Sequence, residues 1–139
     1  MKLIGGIEYM NLTWKYKSEL SDDGVFEEIA KKYGLDVPED LKALIKEANG
    51  ATPDKIRVDI GNKERVFGAL LSFNEGDPDD VYTVLDSIGY KNFIPFGVDP
   101  FGNYYCYHVK KHEVYFWDHE EDRMERSGYN LEEFLEKLY

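Results

Sequence analysis

The 139-residue sequence has one cysteine, Cys106, which excludes an intramolecular disulfide and any multi-cysteine zinc site. Positive charge is scarce too. Lys plus Arg number 17 against 28 Asp plus Glu, for a formal net charge of −11. That balance argues against binding a phosphate backbone, which needs a basic patch, and favours a basic partner or plain solubility. No apolar run approaches the length of a membrane span. Met1–Ile7 is too short for a signal-peptide core and is interrupted by Glu8, so a cytoplasmic location is expected. Met10 offers an alternative start that would leave the first nine residues as a dispensable extension. Internal repeats, low-complexity tracts and interdomain linkers are absent.

Hydrophobic residues make up 42%, with 8 Phe, 11 Tyr and 2 Trp, enough apolar surface for one domain with its own core. The charge is unevenly placed. Residues 1–70 hold 11 basic and 13 acidic side chains, whereas residues 71–139 hold 6 and 15. Two clusters supply much of the excess: Glu75, Asp77, Asp79 and Asp80, then Asp118, Glu120, Glu121 and Asp122.

Periodicity gives the organisation. Val25, Phe26, Ile29 and Tyr33 predict a helix capped by Ser21, with Asp22 and Asp23 in its first turn and Gly34 at its end. Pro38 opens a second helix whose Leu41, Leu44, Ile45 and Ala48 form an apolar stripe, and Asn49-Gly50 closes it in a left-handed C-cap. Ile56, Val58 and Ile60 alternate as a half-buried strand, and Gly61-Asn62 makes a two-residue hairpin turn into one returning strand, Val66–Leu71. A short helix follows over 81–88. Strands over 93–97, 104–109 and 114–117 have connections too short for parallel crossovers, so they form an antiparallel meander. Asn130 and Glu133 make a capping-box-like start to a last helix. The expected fold is α+β, a single domain over 21–139 with a mainly antiparallel sheet packed against helices. Residues 1–20 are an N-terminal extension or edge segment.

Chemistry is poorly represented. Cys106, His108 and His112 have a Cys-x-His-x3-His spacing, but without a fourth ligand they read as a packed cysteine and turn histidines. The Asp77, Asp79 and Asp80 loop lacks the ligand pattern of an EF-hand. Neither a metal nor a cofactor is expected. Ser18, Ser21, Ser72, Ser87 and Ser127 sit in no nucleophile elbow, and no glycine-rich phosphate cradle follows a strand. His119 beside Glu120 is the one candidate acid–base pair, and adjacent residues cooperate only if the strand has ended at Asp118. The aromatic runs Tyr104–His108 and Tyr115–Trp117 lack the basic residues of an RNA-stacking sheet, so they read as cross-strand and core pairs.

Three segments in order resemble one family. Val37-Pro38-Glu39-Asp40-Leu41-Lys42 running to Asn49-Gly50-Ala51 is similar to the "LP-x-x-L-K … NG" helix of the SUKH superfamily. Ile94-Pro95-Phe96-Gly97, Asp99 and Phe101-Gly102-Asn103 resemble its "I-P-F-G … D-x-x-G-N" strand pair. Val114–Glu120 matches its "V-x-x-W-D-H-E" strand. Val37 stands where leucine is usual, and residues 76–89 match no such pattern. The resemblance, which runs from about Val25 to Leu138, implies an α+β binding protein rather than an enzyme. Bacterial members of the superfamily are mostly immunity proteins against toxins, many of them nucleases, and a yeast branch scaffolds regulators of cell-wall synthesis. It also implies that Pro38, Asn49, Gly50, Pro95, Gly97, Gly102, Asn103, Asp118 and His119 hold the fold.

The expected function is therefore stoichiometric binding of a cognate, basic bacterial toxin, with a scaffold of the same fold as the alternative and an enzyme using His119 and Glu120 as a remote third. A nuclease groove must be basic, so the acidic residues Asp77, Asp79, Asp80, Glu120, Glu121 and Asp122 are the expected contact surface. Tyr82 and Tyr129 are the candidate aromatic anchors.

Overall fold

In a computed structural model, residues 12–139 are described. The extension expected at residues 1–9 lies outside them. From residue 12 the chain runs β1 (Trp14–Lys15), α1 (Val25–Tyr33), α2 (Glu39–Ala48), β2 (Thr52–Pro53), β3 (Arg57–Ile60), β4 (Lys63–Val66), β5 (Ala69–Leu70) and α3 (Val81–Ser87). It continues through β6 (Phe93–Val98), β7 (Tyr104–His108), β8 (Glu113–Asp118), β9 (Arg123–Arg126) and α4 (Leu131–Lys137).

Strands β5 to β9 form a five-stranded antiparallel sheet in sequence order; the short turns from β6 to β9 require that pairing, whereas β5 reaches β6 through a longer connection that holds α3. Two small antiparallel ribbons, β1–β2 and β3–β4, accompany it. The β3–β4 turn is the expected two-residue hairpin: Ile60 pairs with Lys63, and Gly61 takes φ +63°.

Alternation divides the sheet into two faces. Ile94, Phe96, Tyr105, Tyr107, Val114 and Phe116 join the main core with residues of α1, α2 and α4. Phe134 of α4 sits among Phe67, Phe96 and Tyr105, with ring centroids 5.7, 6.1 and 5.3 Å away. The opposite face carries Phe93, Cys106, Tyr115 and Trp117, covered in part by Val84 of α3. Cys106 is fully buried there, and burial pushes its thiol pKa up, as befits a packing residue.

Three expectations are corrected. Ser21 does not cap α1. The helix starts at Val25, Gly24 holds the N-cap position without a side-chain bond, and Ser21 instead donates its N–H and hydroxyl to Asn74 Oδ1. The left-handed residue after α2 is Gly50 (φ +71°), whereas Asn49 is extended (φ −46°, ψ 126°) and buried. The run Val66–Leu71 is two strands, not one. It breaks at Gly68, whose N–H donates to Val98 O and where a Cβ would lie 2.9 Å from that same oxygen. In addition, Arg123–Arg126, to which the sequence pattern assigns no element, forms an edge strand, β9. The capping box at Asn130 and Glu133 is complete, each side chain bonding the other's backbone N–H.

Candidate functional site

The first acidic loop folds around its own carboxylates. Buried Asn49 is the hub. Its Nδ2 donates to Ser18 O (2.8 Å) and Ser72 Oγ (3.2 Å), and its Oδ1 accepts from Phe73 N (2.7 Å). The Ser72 hydroxyl donates a hydrogen bond to Asp77 Oδ2 (2.8 Å), which also accepts from Asn74 Nδ2 and Ser18 Oγ. These bonds, from Ser72 first, hold the Asp77 pKa below the usual carboxylate range. Asp80 is the N-cap of α3, accepting from Thr83 N and Oγ1 and from Gly76 N. Burial pushes its pKa up, but those bonds outweigh burial and the net shift is down. Asp77 and Asp80 are thus committed to the loop, whereas Asp79 and Glu75 are exposed.

The second cluster is the β8–β9 turn. Asp118 Oδ1 accepts from Glu121 N (3.1 Å), and Asp122 Oδ1 accepts from Trp117 Nε1 (3.0 Å). Tyr90 donates to Asp122 O (2.6 Å), strapping the turn to the segment after α3. Glu121 pairs with Arg123 at 3.0 Å on the surface, an interaction of little worth in water. Glu120 and Glu121 form the exposed tip.

The β6–β7 turn meets this tip. Asp99 Oδ1 accepts from Phe101 N and Asn103 N, both at 2.8 Å, and Asn103 Nδ2 donates back to Asp99 Oδ2. Asn103 Oδ1 then accepts from His119 N (3.0 Å), joining the two turns. Gly102 takes φ +86°, which the tight turn demands. Between the turns lies a cleft of about 250 Å³ lined by Glu64, Arg65, Asp99, Phe101, Asp118 and Glu120 among others. Phe101 stands 73% exposed at its rim. The Tyr104 pKa is pushed up by burial first and then by Asp79 and Asp99, and Tyr104 pairs with Trp117, one residue before Asp118.

The motif residues of the two strands therefore converge here: Gly102, Asn103, Asp118 and His119 on the turns, with Pro95 and Gly97 behind them at the bulge in β6. Gly97 leaves room for the Phe67 ring, which occupies the space a Cβ would need. Pro38 lies elsewhere, at the start of α2.

The expected anchors are not available. Tyr82 is buried, with its hydroxyl donated to Glu28, and half-buried Tyr129 packs on the core and donates to Asp59 O. Phe101, on the Asp99–Asn103 turn, is an exposed aromatic that the sequence did not single out as a contact. His119 packs edge-on against Trp117 (5.5 Å) and Tyr104 (6.3 Å), and Glu120 lines the cleft, with no bond between the two. His112 Nδ1 contacts Tyr107 Oη (3.1 Å), which also donates to Asp40, so His112 is directed to the face opposite Cys106. Among the described residues, no group of three or more His, Cys, Asp or Glu is placed to hold a metal ion, and no helix is long and apolar enough to cross a membrane.

Comparison with known proteins gives one family match. The model described as the SMI1 / KNR4 family (SUKH-1) covers residues 21–137, from the approach to α1 to the end of α4. A search of curated proteins finds no match.

Proposed function

The chain belongs to the SMI1 / KNR4 family (SUKH-1), and from that membership we propose that it is an immunity protein, binding one cognate bacterial toxin and neutralising it. The family supports a toxin-immunity or SMI1/KNR4-like regulatory role, and its members are generally not enzymes. The observation that favours toxin binding is the exposed acidic surface: Asp79, Glu120 and Glu121 face solvent, and Phe101 shares a cleft with Glu120.

A nuclease toxin carries a basic groove for its phosphate substrate. An acidic surface attracts that groove over long range, speeds encounter and covers the catalytic residues without chemistry of its own. The proposed contact residues are those of the sequence reading, Asp77, Asp79, Asp80, Glu120, Glu121 and Asp122, with the burden on the exposed ones. Asp77 and Asp80 serve by shaping the loop that presents Asp79. Action in the cytoplasm of the producing cell belongs to the same proposal.

The test is co-expression with the toxin encoded beside its gene. Restored growth with the wild-type chain, weakened by Asp79→Asn, Glu120→Gln and Glu121→Gln together, is the expected result. No rescue, with stable association to a host protein instead, would establish the regulatory reading.

A further inference from the structure

Phe101 is large, apolar and 73% exposed, yet its turn is fixed at both ends by Asp99 and by the Asn103 link to His119. With its backbone already fixed, the ring has only its two side-chain torsions to order on burial, which suits an interface anchor. The cleft beside it adds a strong charge bias. Glu64, Asp99, Asp118 and Glu120 line it against a single cation, Arg65. That cation is already engaged: it pairs with Glu125 at 3.3 Å and lies 4.4 Å from the Phe116 ring. Glu64 meets Arg57 only at 3.9 Å.

We propose that this cleft receives one arginine side chain of the basic partner, its guanidinium lying against Phe101 and pairing with Glu120. This rests on the partner-binding reading above and names the contact. Three features select arginine. The volume, about 250 Å³, admits a single long side chain rather than a loop. The field is negative, so the ligand must be a cation. A flat aromatic beside a carboxylate suits a planar guanidinium, which stacks and forms two parallel hydrogen bonds, better than a strongly hydrated ammonium.

The test is an NMR titration of the full chain with argininamide, using citrullinamide, which keeps the α-amine but has an uncharged side chain, as control. Argininamide should shift the amides of Phe101, Gly102, Asn103, His119 and Glu120, and citrullinamide should not. Phe101→Ala should weaken binding by about two- to fivefold, the range of an exposed cation–π contact, and Glu120→Gln by up to about fivefold, the upper range of an exposed ion pair. Phe101→Ala should leave the thermal midpoint unchanged, because the ring is exposed. Equal shifts at residues 74–80, equal binding by citrullinamide, or full binding by Phe101→Ala would each overturn the proposal. Argininamide needs no toxin. Its failure to bind sinks the cleft alone, whereas absent growth rescue with argininamide binding intact sinks the immunity reading alone.

Discussion

Replacing Asn49 with alanine should cost far more than any other polar truncation at the start of the first acidic loop. The side chain is 2% exposed and serves three partners. Loss of Oδ1 strands the Phe73 N–H, now 2.7 Å from its acceptor, inside a residue that is 1% exposed. A buried donor left unpaired costs about 1–3 kcal/mol. Loss of Nδ2 frees Ser18 O, which is near water and costs about 1 kcal/mol, the net worth of an ordinary hydrogen bond. Ser72 keeps its bonds to Asp77 and Asn74, so little is added there. The total is about 3 kcal/mol. With a urea slope of about 1–3 kcal/mol/M, the midpoint should fall by roughly 1–3 M at unchanged slope. Asn49→Asp should do no better, since its second oxygen would face Ser18 O. Ser21→Ala, at an exposed site, should cost less than about 0.5 kcal/mol. A loss below about 1 kcal/mol for Asn49→Ala would refute the hub.

Acid should unfold the protein through specific carboxylates. Arg126 hydrogen bonds hold the Glu113 pKa below its ordinary 4.5, and Asp77 and Asp80 are also lowered from 3.8. A depressed folded pKa gives stability that is present above the unfolded value and lost as pH falls through the folded one. Stability measured by urea titration should therefore decline below about pH 4.5, and Glu113→Gln should flatten that decline; a slope unaffected by Glu113→Gln would remove its role. Gly97→Ala should destabilise by about 1–3 kcal/mol or more, because the new methyl overlaps the buried Phe67 ring; a thermal melt within 1 °C of wild type would contradict that packing. Asp80→Ala should lose about 1 kcal/mol from its cap on α3, read by the same melt, with Asp80→Asn recovering most of it.

The elements that sequence made legible are those with a local signature. The stripe of α2, the Gly61-Asn62 hairpin and the Asn130–Glu133 box depend on residues within a turn or two of each other. What was hidden depends on distant partners. Val66–Leu71 reads as one apolar run, but which sheet each half joins is decided by Val98, some thirty residues on. Strand β9 has no apolar signature of its own, because its charged Glu125 and Arg126 are paired by Arg65 and Glu113 of other strands. The acidic clusters were visible by composition, yet whether a carboxylate faces solvent or closes a loop was not. Asp77 is claimed by Ser18 across 59 positions, and Tyr82 by Glu28 across 54. Phe101 was overlooked because local polarity gives no signal for an apolar residue held outward by its neighbours' hydrogen bonds.

If the exposed carboxylates capture a basic toxin by electrostatic attraction, the association rate with the catalytically inactivated toxin encoded beside the gene, followed by stopped flow across ionic strength, measures that attraction directly. The rate should fall steeply as salt rises, and at low salt Asp79→Asn, Glu120→Gln and Glu121→Gln combined should give about a tenfold slower rate with a flatter slope. Identical rates and identical salt dependence for wild type and that variant would contradict it.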